Sequence, residues 1–153
     1  MVKHFFPLST SLGEDLIFNI EYIRNCKIVS VIDDCLYYYI SRKDSLTTSF
    51  YREKLQEIIK LDKYFVNNDL GAVYYQNFVS NCYDYFCLLV KDKKMTVKRI
   101  MKDVSYMINE LQEYNRFENI KVCNNIKHRV FMYLVANNCR IMLWLIALGL
   151  KLK

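Results

Sequence analysis

Chain-breaking residues are almost absent. Three glycines (Gly13, Gly71, Gly149) and one proline (Pro7) are all that interrupt 153 residues. So few exclude a collagen-like or low-complexity chain, and they leave no glycine-rich loop able to cradle a phosphate. The six cysteines (Cys26, Cys35, Cys82, Cys87, Cys123, Cys139) form no Cys-x-x-Cys pair. That excludes a ribbon-type zinc site and a dithiol redox motif, and it suits reduced thiols in a cytoplasmic protein. The two histidines, His4 and His128, have no second ligand at metal-binding spacing and read as structural or exposed. The opening Met1-Val2-Lys3-His4 does not lead into a secretory signal.

Acid is missing from the last part of the chain. The balance of 22 Lys and Arg against 16 Asp and Glu gives +6. After Glu118 no acid occurs, and the six basic residues there (Lys121, Lys127, Arg129, Arg140, Lys151, Lys153) equal the whole excess. No nucleic-acid motif accompanies this charge, so nucleic acid is not expected as a partner. An uninterrupted membrane span is missing as well. Residues 130–150 are long enough, but Asn137, Asn138 and Arg140 lie near their middle. An Arg there costs about 2.5–3.5 kcal/mol on an insertion scale, so two helices broken near Asn137-Asn138 are expected instead.

What the chain has in quantity is apolar and aromatic surface: 53% hydrophobic residues, with 13 Tyr and 9 Phe. From residue 49 onward these recur at helical spacing. Leu55, Ile58, Ile59 and Phe65 stripe one helix that ends near Asn67-Asn68. Tyr74, Phe78, Cys82, Tyr85, Phe86 and Leu89 stripe a second, and Val97, Ile100, Met101, Val104, Met107, Ile108 and Leu111 a third. Thr96 suits the N-cap of that third helix. Short connections make an antiparallel bundle the expected arrangement, with residues 113–125 a polar loop or broken helix. The final stretch, 141–152, carries Trp144 and is followed by a basic end. It reads either as a helix covering the bundle or as an interfacial helix on an anionic membrane.

The stretch before residue 49 is patterned differently. Gly13 allows a tight turn, Glu14 and Asp15 follow, and Leu16, Ile17, Ile20 and Ile23 recur at helical spacing. A helix is expected from Glu14 to Arg24, with Asn25 suited to a left-handed cap. Asp15 then sits in the first turn, beside free backbone N–H groups and the positive end of the helix dipole. That place suits a carboxylate acting as a base, although acids suit helix starts without any catalysis. Residues 28–32 are short and β-branched and predict a strand; Asp33-Asp34 makes a turn; residues 36–40, rich in Tyr, predict a second strand. Arg42 offers a fork of donors that fits a diphosphate or carboxylate, and Ser45 can donate or accept, unless both simply belong to a solvated loop. Tyr39 could stack on a sugar ring or fill a core.

In order, Gly13-Glu14-Asp15-Leu16-Ile17-Phe18-Asn19, the apolar run, and Tyr38-Tyr39 with Arg42, Ser45, Leu46 and Thr47 resemble the C-terminal catalytic part of family 2 glycosyltransferases. These are inverting enzymes of the GT-A type that use a nucleotide-sugar donor. The resemblance covers residues 6–51 and continues only as helical pattern beyond. It implies Asp15 as the catalytic base toward an acceptor hydroxyl, with Glu14, Tyr39, Arg42 and Ser45 as substrate contacts. The family's D-x-D motif, which holds a divalent metal and the donor diphosphate, has no counterpart. Asp33-Asp34 are adjacent, and Asn67-Asn68-Asp69 reads as a loop between helices.

The expected architecture is therefore mostly α with a small β portion. Residues 1–48 form the C-terminal part of a GT-A-like catalytic domain, and residues 49–153 a helical region with a basic apolar tail. The expected function is sugar transfer to a hydroxyl acceptor in glycan synthesis, inactive without a nucleotide-binding half. Nucleotide sugar and divalent metal are cofactors of the complete family and have no motif in this chain. The alternative is a non-catalytic helical module for a membrane or protein partner, in the cytoplasm or on the inner face of the membrane.

Overall fold

The computed structural model describes residues 12–34 and 49–152. Its elements among these residues are helices: α1 (Glu14–Arg24), α2 (Lys54–Asn67), α3 (Gly71–Lys91), α4 (Val97–Tyr114), α5 (Ile126–Ala136) and α6 (Arg140–Lys151), with a short 3-10 turn at Ile120–Val122. The chain divides into two compact units, Met1–Ser49 and Phe50–Lys153.

In the first unit the described residues hold only α1. Gly13 precedes it with φ 76°, a left-handed conformation open to glycine at no steric cost. At the other end Asn25 departs from its expected left-handed cap. It sits at φ −93°, its backbone N–H reaches the carbonyls of Tyr22 and Ile23, and its side-chain amide donates to Glu21 O at 2.7 Å. The side chain does the capping, so no left-handed residue is needed.

The α+β, GT-A-like architecture is overturned: no strand forms among the described residues. Residues 28–32 lie outside regular structure, with Ile28 85% and Val31 89% exposed. β-branched residues favour a strand only where a neighbour completes the ladder and covers a face, and none of the described residues does so here. The second expected strand, 36–40, lies outside the described residues.

The second unit is a helical bundle organised on α3, which packs against α2, α4, α5 and α6. The stripe read from the sequence is its buried face: Tyr74, Phe78, Cys82, Tyr85, Phe86 and Leu89 are all buried, joined by Tyr75, Val79 and Val90. Phe65 of α2 stacks on Tyr74 with ring centroids 3.9 Å apart, and Phe86 meets Phe131 of α5 at 5.4 Å. Offset and tilted aromatic pairs of this kind add about 0.5–1.5 kcal/mol beyond their burial.

The helix ends explain the connections. After α2, Asp69 takes φ 59° and turns the chain into α3. Thr96 caps α4, its hydroxyl accepting from Arg99 N at 3.3 Å, and Asn115 ends α4 at φ 54°. Asn125 caps α5 through Lys127 N at 3.0 Å. Asn138, at φ 54°, breaks the last apolar stretch into α5 and α6. No helix among the described residues is long and apolar enough to cross a membrane.

Candidate functional site

The acidic pair stands at the start of α1. Glu14 is half-buried and Asp15 exposed, both in the first turn. Asp15 Oδ1 accepts from Leu16 N at 2.8 Å. Asp15 is exposed, two residues after the left-handed Gly13 and one residue into the helix. Of the expected site residues, only these two fall among those described; Tyr39, Arg42 and Ser45 lie outside them. Among the described residues no three of His, Cys, Asp and Glu come together as a metal-binding group.

The helical unit holds three further features. The first is a buried polar knot. Asp62 of α2 is fully buried, and its Oδ2 accepts from Tyr114 Oη at 2.8 Å and from Arg116 Nε at 3.0 Å. Arg116 also pairs with Glu118 and donates through Nη2 to Gly71 O at 2.8 Å. Burial raises the Asp62 carboxyl above its ordinary value, against the pull of the Tyr114 and Arg116 hydrogen bonds. Gly71 is required here by close approach, because a Cβ at that position would stand 2.9 Å from both Arg116 and Val66. This knot is structural: it ties α2, the start of α3 and the end of α4 together.

The second feature is an apolar face. On α6 only Leu143 and Ala147 are buried, while Ile141, Met142, Leu145 and Ile146 are exposed. Toward α5 the face runs into a cavity of about 340 Å³ lined by Tyr83, Phe86, Val130, Leu134, Leu143 and Ile146, with Lys127 at its border. Toward α4 it reaches Trp144, in a cleft with Val97, Met101, Lys98 and Lys102.

The third is a cationic pocket of about 490 Å³ at the start of α4, lined by Arg52, Thr96, Lys98, Arg99, Lys102 and Asp103. Sequence reading missed it. In the sequence, Val97-Lys98-Arg99-Ile100-Met101-Lys102-Asp103 shows mainly its apolar stripe, and Arg52 is remote from it. The available signal was two cations in the first turn of a helix with no acid there.

Among the free thiols Cys26, Cys82, Cys87, Cys123 and Cys139, burial raises Cys82, Cys87 and Cys123. That removes thiolate character from them.

Comparison of the chain with protein-family models, with curated proteins and with solved structures returns no match.

Proposed function

We propose that this chain takes part in the transfer of a sugar from a nucleotide-sugar donor to a hydroxyl acceptor, with Asp15 as the base. Support comes from the ordered motif that begins at Gly13. The observation that carries it is the place of Asp15: exposed, in the first turn of α1, directly after a left-handed glycine. In the reaction Asp15 accepts the acceptor hydroxyl's proton while that oxygen bonds to the sugar's anomeric carbon. The bond from that carbon to the diphosphate breaks, and the nucleoside diphosphate leaves with inversion. Donor contacts come from a nucleotide-binding partner or segment, because the described residues offer no phosphate loop.

The test is made in the cell that produces the chain. Asp15→Asn keeps the shape and removes the base, and a positioned base contributes about 10²–10⁴-fold to rate. Loss of one glycan linkage, with its unextended acceptor accumulating, is the expected result by mass spectrometry. An unchanged glycan profile at normal protein level would sink the reading.

A second reading concerns where the chain works, and α6 favours it. The helical unit lies on an anionic membrane surface through Ile141, Met142, Leu145 and Ile146, with Lys98 and Lys102 beside Trp144 facing the phosphates. Each basic residue near such a surface is worth about 1 kcal/mol. Co-sedimentation should therefore be stronger with anionic than with neutral vesicles and should weaken with salt. Equal sedimentation with both vesicle types would refute it.

A further inference from the structure

We propose that the cationic pocket at the start of α4 is a binding site for a phosphomonoester or diphosphate group. The donor chemistry is the first reason. Two guanidinium groups, Arg52 and Arg99, and two ammonium groups, Lys98 and Lys102, line one cleft of about 490 Å³. Guanidinium forks and ammonium point charges are the groups that recognise phosphate oxygens. The one carboxylate among the described residues lining the cleft, Asp103, is buried and lies 3.9 Å from Arg52 Nε and 3.8 Å from Arg99 Nε. At those separations it attracts both guanidinium groups without hydrogen-bonding either, which leaves their N–H forks open to a ligand. Arg52 is steadied further by the Tyr106 ring, 4.2 Å from its guanidinium carbon.

The second reason is electrostatic misfit. Lys98 and Arg99 stand in the first turn of α4 and Lys102 one turn later, with no acid in the first turn to offset them. Cations at the positive end of a helix, and cations one turn apart, both weaken the helix. Among the described residues that line the cleft, one buried carboxylate faces four cations, an excess of three positive charges. A segment that breaks a local stability rule in this way is where function is to be sought. A dianionic phosphate group offsets two of these three charges.

The third reason indicates what the group is attached to. Lys98 and Lys102 line the cationic pocket and also the cleft that holds Val97, Met101 and Trp144. An anionic head in the first space therefore has an apolar, aromatic wall directly beside it, next to the exposed face of α6. That combination fits a phosphorylated headgroup better than a free anion. This last point rests on the membrane reading above, whereas the phosphate site itself does not.

The experiment uses the full chain and its only tryptophan, Trp144, as the reporter. Inorganic pyrophosphate in solution is the first probe. Vesicles of phosphatidylcholine containing phosphatidic acid, compared at matched charge with vesicles containing phosphatidylserine, are the second. The variant is Lys98→Gln with Lys102→Gln; both lysines are exposed, and far-UV circular dichroism verifies that its helices remain. Pyrophosphate should change Trp144 emission saturably, and the double variant should bind on the order of 10–100-fold more weakly. A preference for phosphatidic acid over phosphatidylserine supports the headgroup source. Pyrophosphate binding with no vesicle binding supports the site with a free phosphate as ligand and overturns the membrane reading alone. Vesicle binding that follows total charge, with no response to pyrophosphate, overturns the site and leaves the membrane reading standing. Wild-type affinity in the folded double variant overturns the site as well.

Discussion

α3 and α6 are both apolar helices of one bundle, yet they are used in opposite ways. α3 buries ten of its 21 residues and α6 two of its 12, although α6 is the more continuously apolar. The difference lies in their neighbours. α3 has a helix on every side that its stripe faces, whereas α6 rests on α3, α4 and α5 by one narrow edge. Apolar content therefore states how much surface a helix could bury, and packing decides how much it does. What is left over on α6 is an apolar face beside lysines, a combination suited to an interface rather than to a core.

The first way to break the comparison is to cut the knot that fixes the α3 side. Asp62→Ala leaves Arg116 without its buried partner and Tyr114 without its acceptor. Removing one member of a buried pair destabilises by about 3–5 kcal/mol. Urea denaturation should show that loss, and a midpoint near that of the parent chain would show that the knot is idle. The pH dependence sharpens the same point. Because burial raises the folded-state value of Asp62 above its ordinary 3.8, the folded chain holds this proton more tightly than the unfolded chain. Its contribution to stability is then fully present below the unfolded value and is lost as pH rises through the folded value. Stability relative to Asp62→Asn should fall with rising pH across that window. A difference that grew with pH would mean that Arg116 and Tyr114 outweigh burial.

The second way compares the edge of α6 that does pack. Leu143 is 1% exposed and lines the cavity between α5 and α6. Leu143→Ala should cost about 2–5 kcal/mol, with the lower end expected because the adjoining space lets the site relax. Thermal unfolding would detect it, and no change in midpoint would mean that α6 is not docked.

The bundle was legible in the sequence because its burial follows local periodicity. Tyr74, Phe78, Cys82, Tyr85, Phe86 and Leu89 mark one face of α3 without any tertiary knowledge. Thr96 announced its cap for the same reason, since capping is decided within one turn. Residues 28–32 misled because β-branching signals a strand whether or not a partner strand exists. The Asp62–Arg116 pair spans 54 residues, and nothing local marks either member as buried. Of the candidate site, the placing of Glu14 and Asp15 at a helix start was legible from Gly13 and the apolar spacing. The cationic pocket was not, because Arg52 meets Lys98, Arg99 and Lys102 only through the packing of the bundle.

The smallest effect on stability is expected at Leu145, on the outward face of α6 and 63% exposed. Leu145→Glu removes little that the fold uses, and exposed substitutions of this kind usually stay within about 0.5 kcal/mol. Its effect on an interface should be much larger. A leucine that enters an interfacial layer gains about 1.5–3 kcal/mol of burial, which a glutamate forfeits while also adding charge of the wrong sign beside an anionic surface. The unfolding midpoint should therefore stay near the parent value while co-sedimentation with anionic vesicles falls at least on the order of tenfold. Leu143→Ala should show the reverse pattern, with reduced stability and, at temperatures where it remains folded, near-parent vesicle binding. Were Leu145→Glu to destabilise the chain as strongly as Leu143→Ala, the outward face of α6 would be part of the core after all, and the contrast between α3 and α6 would vanish.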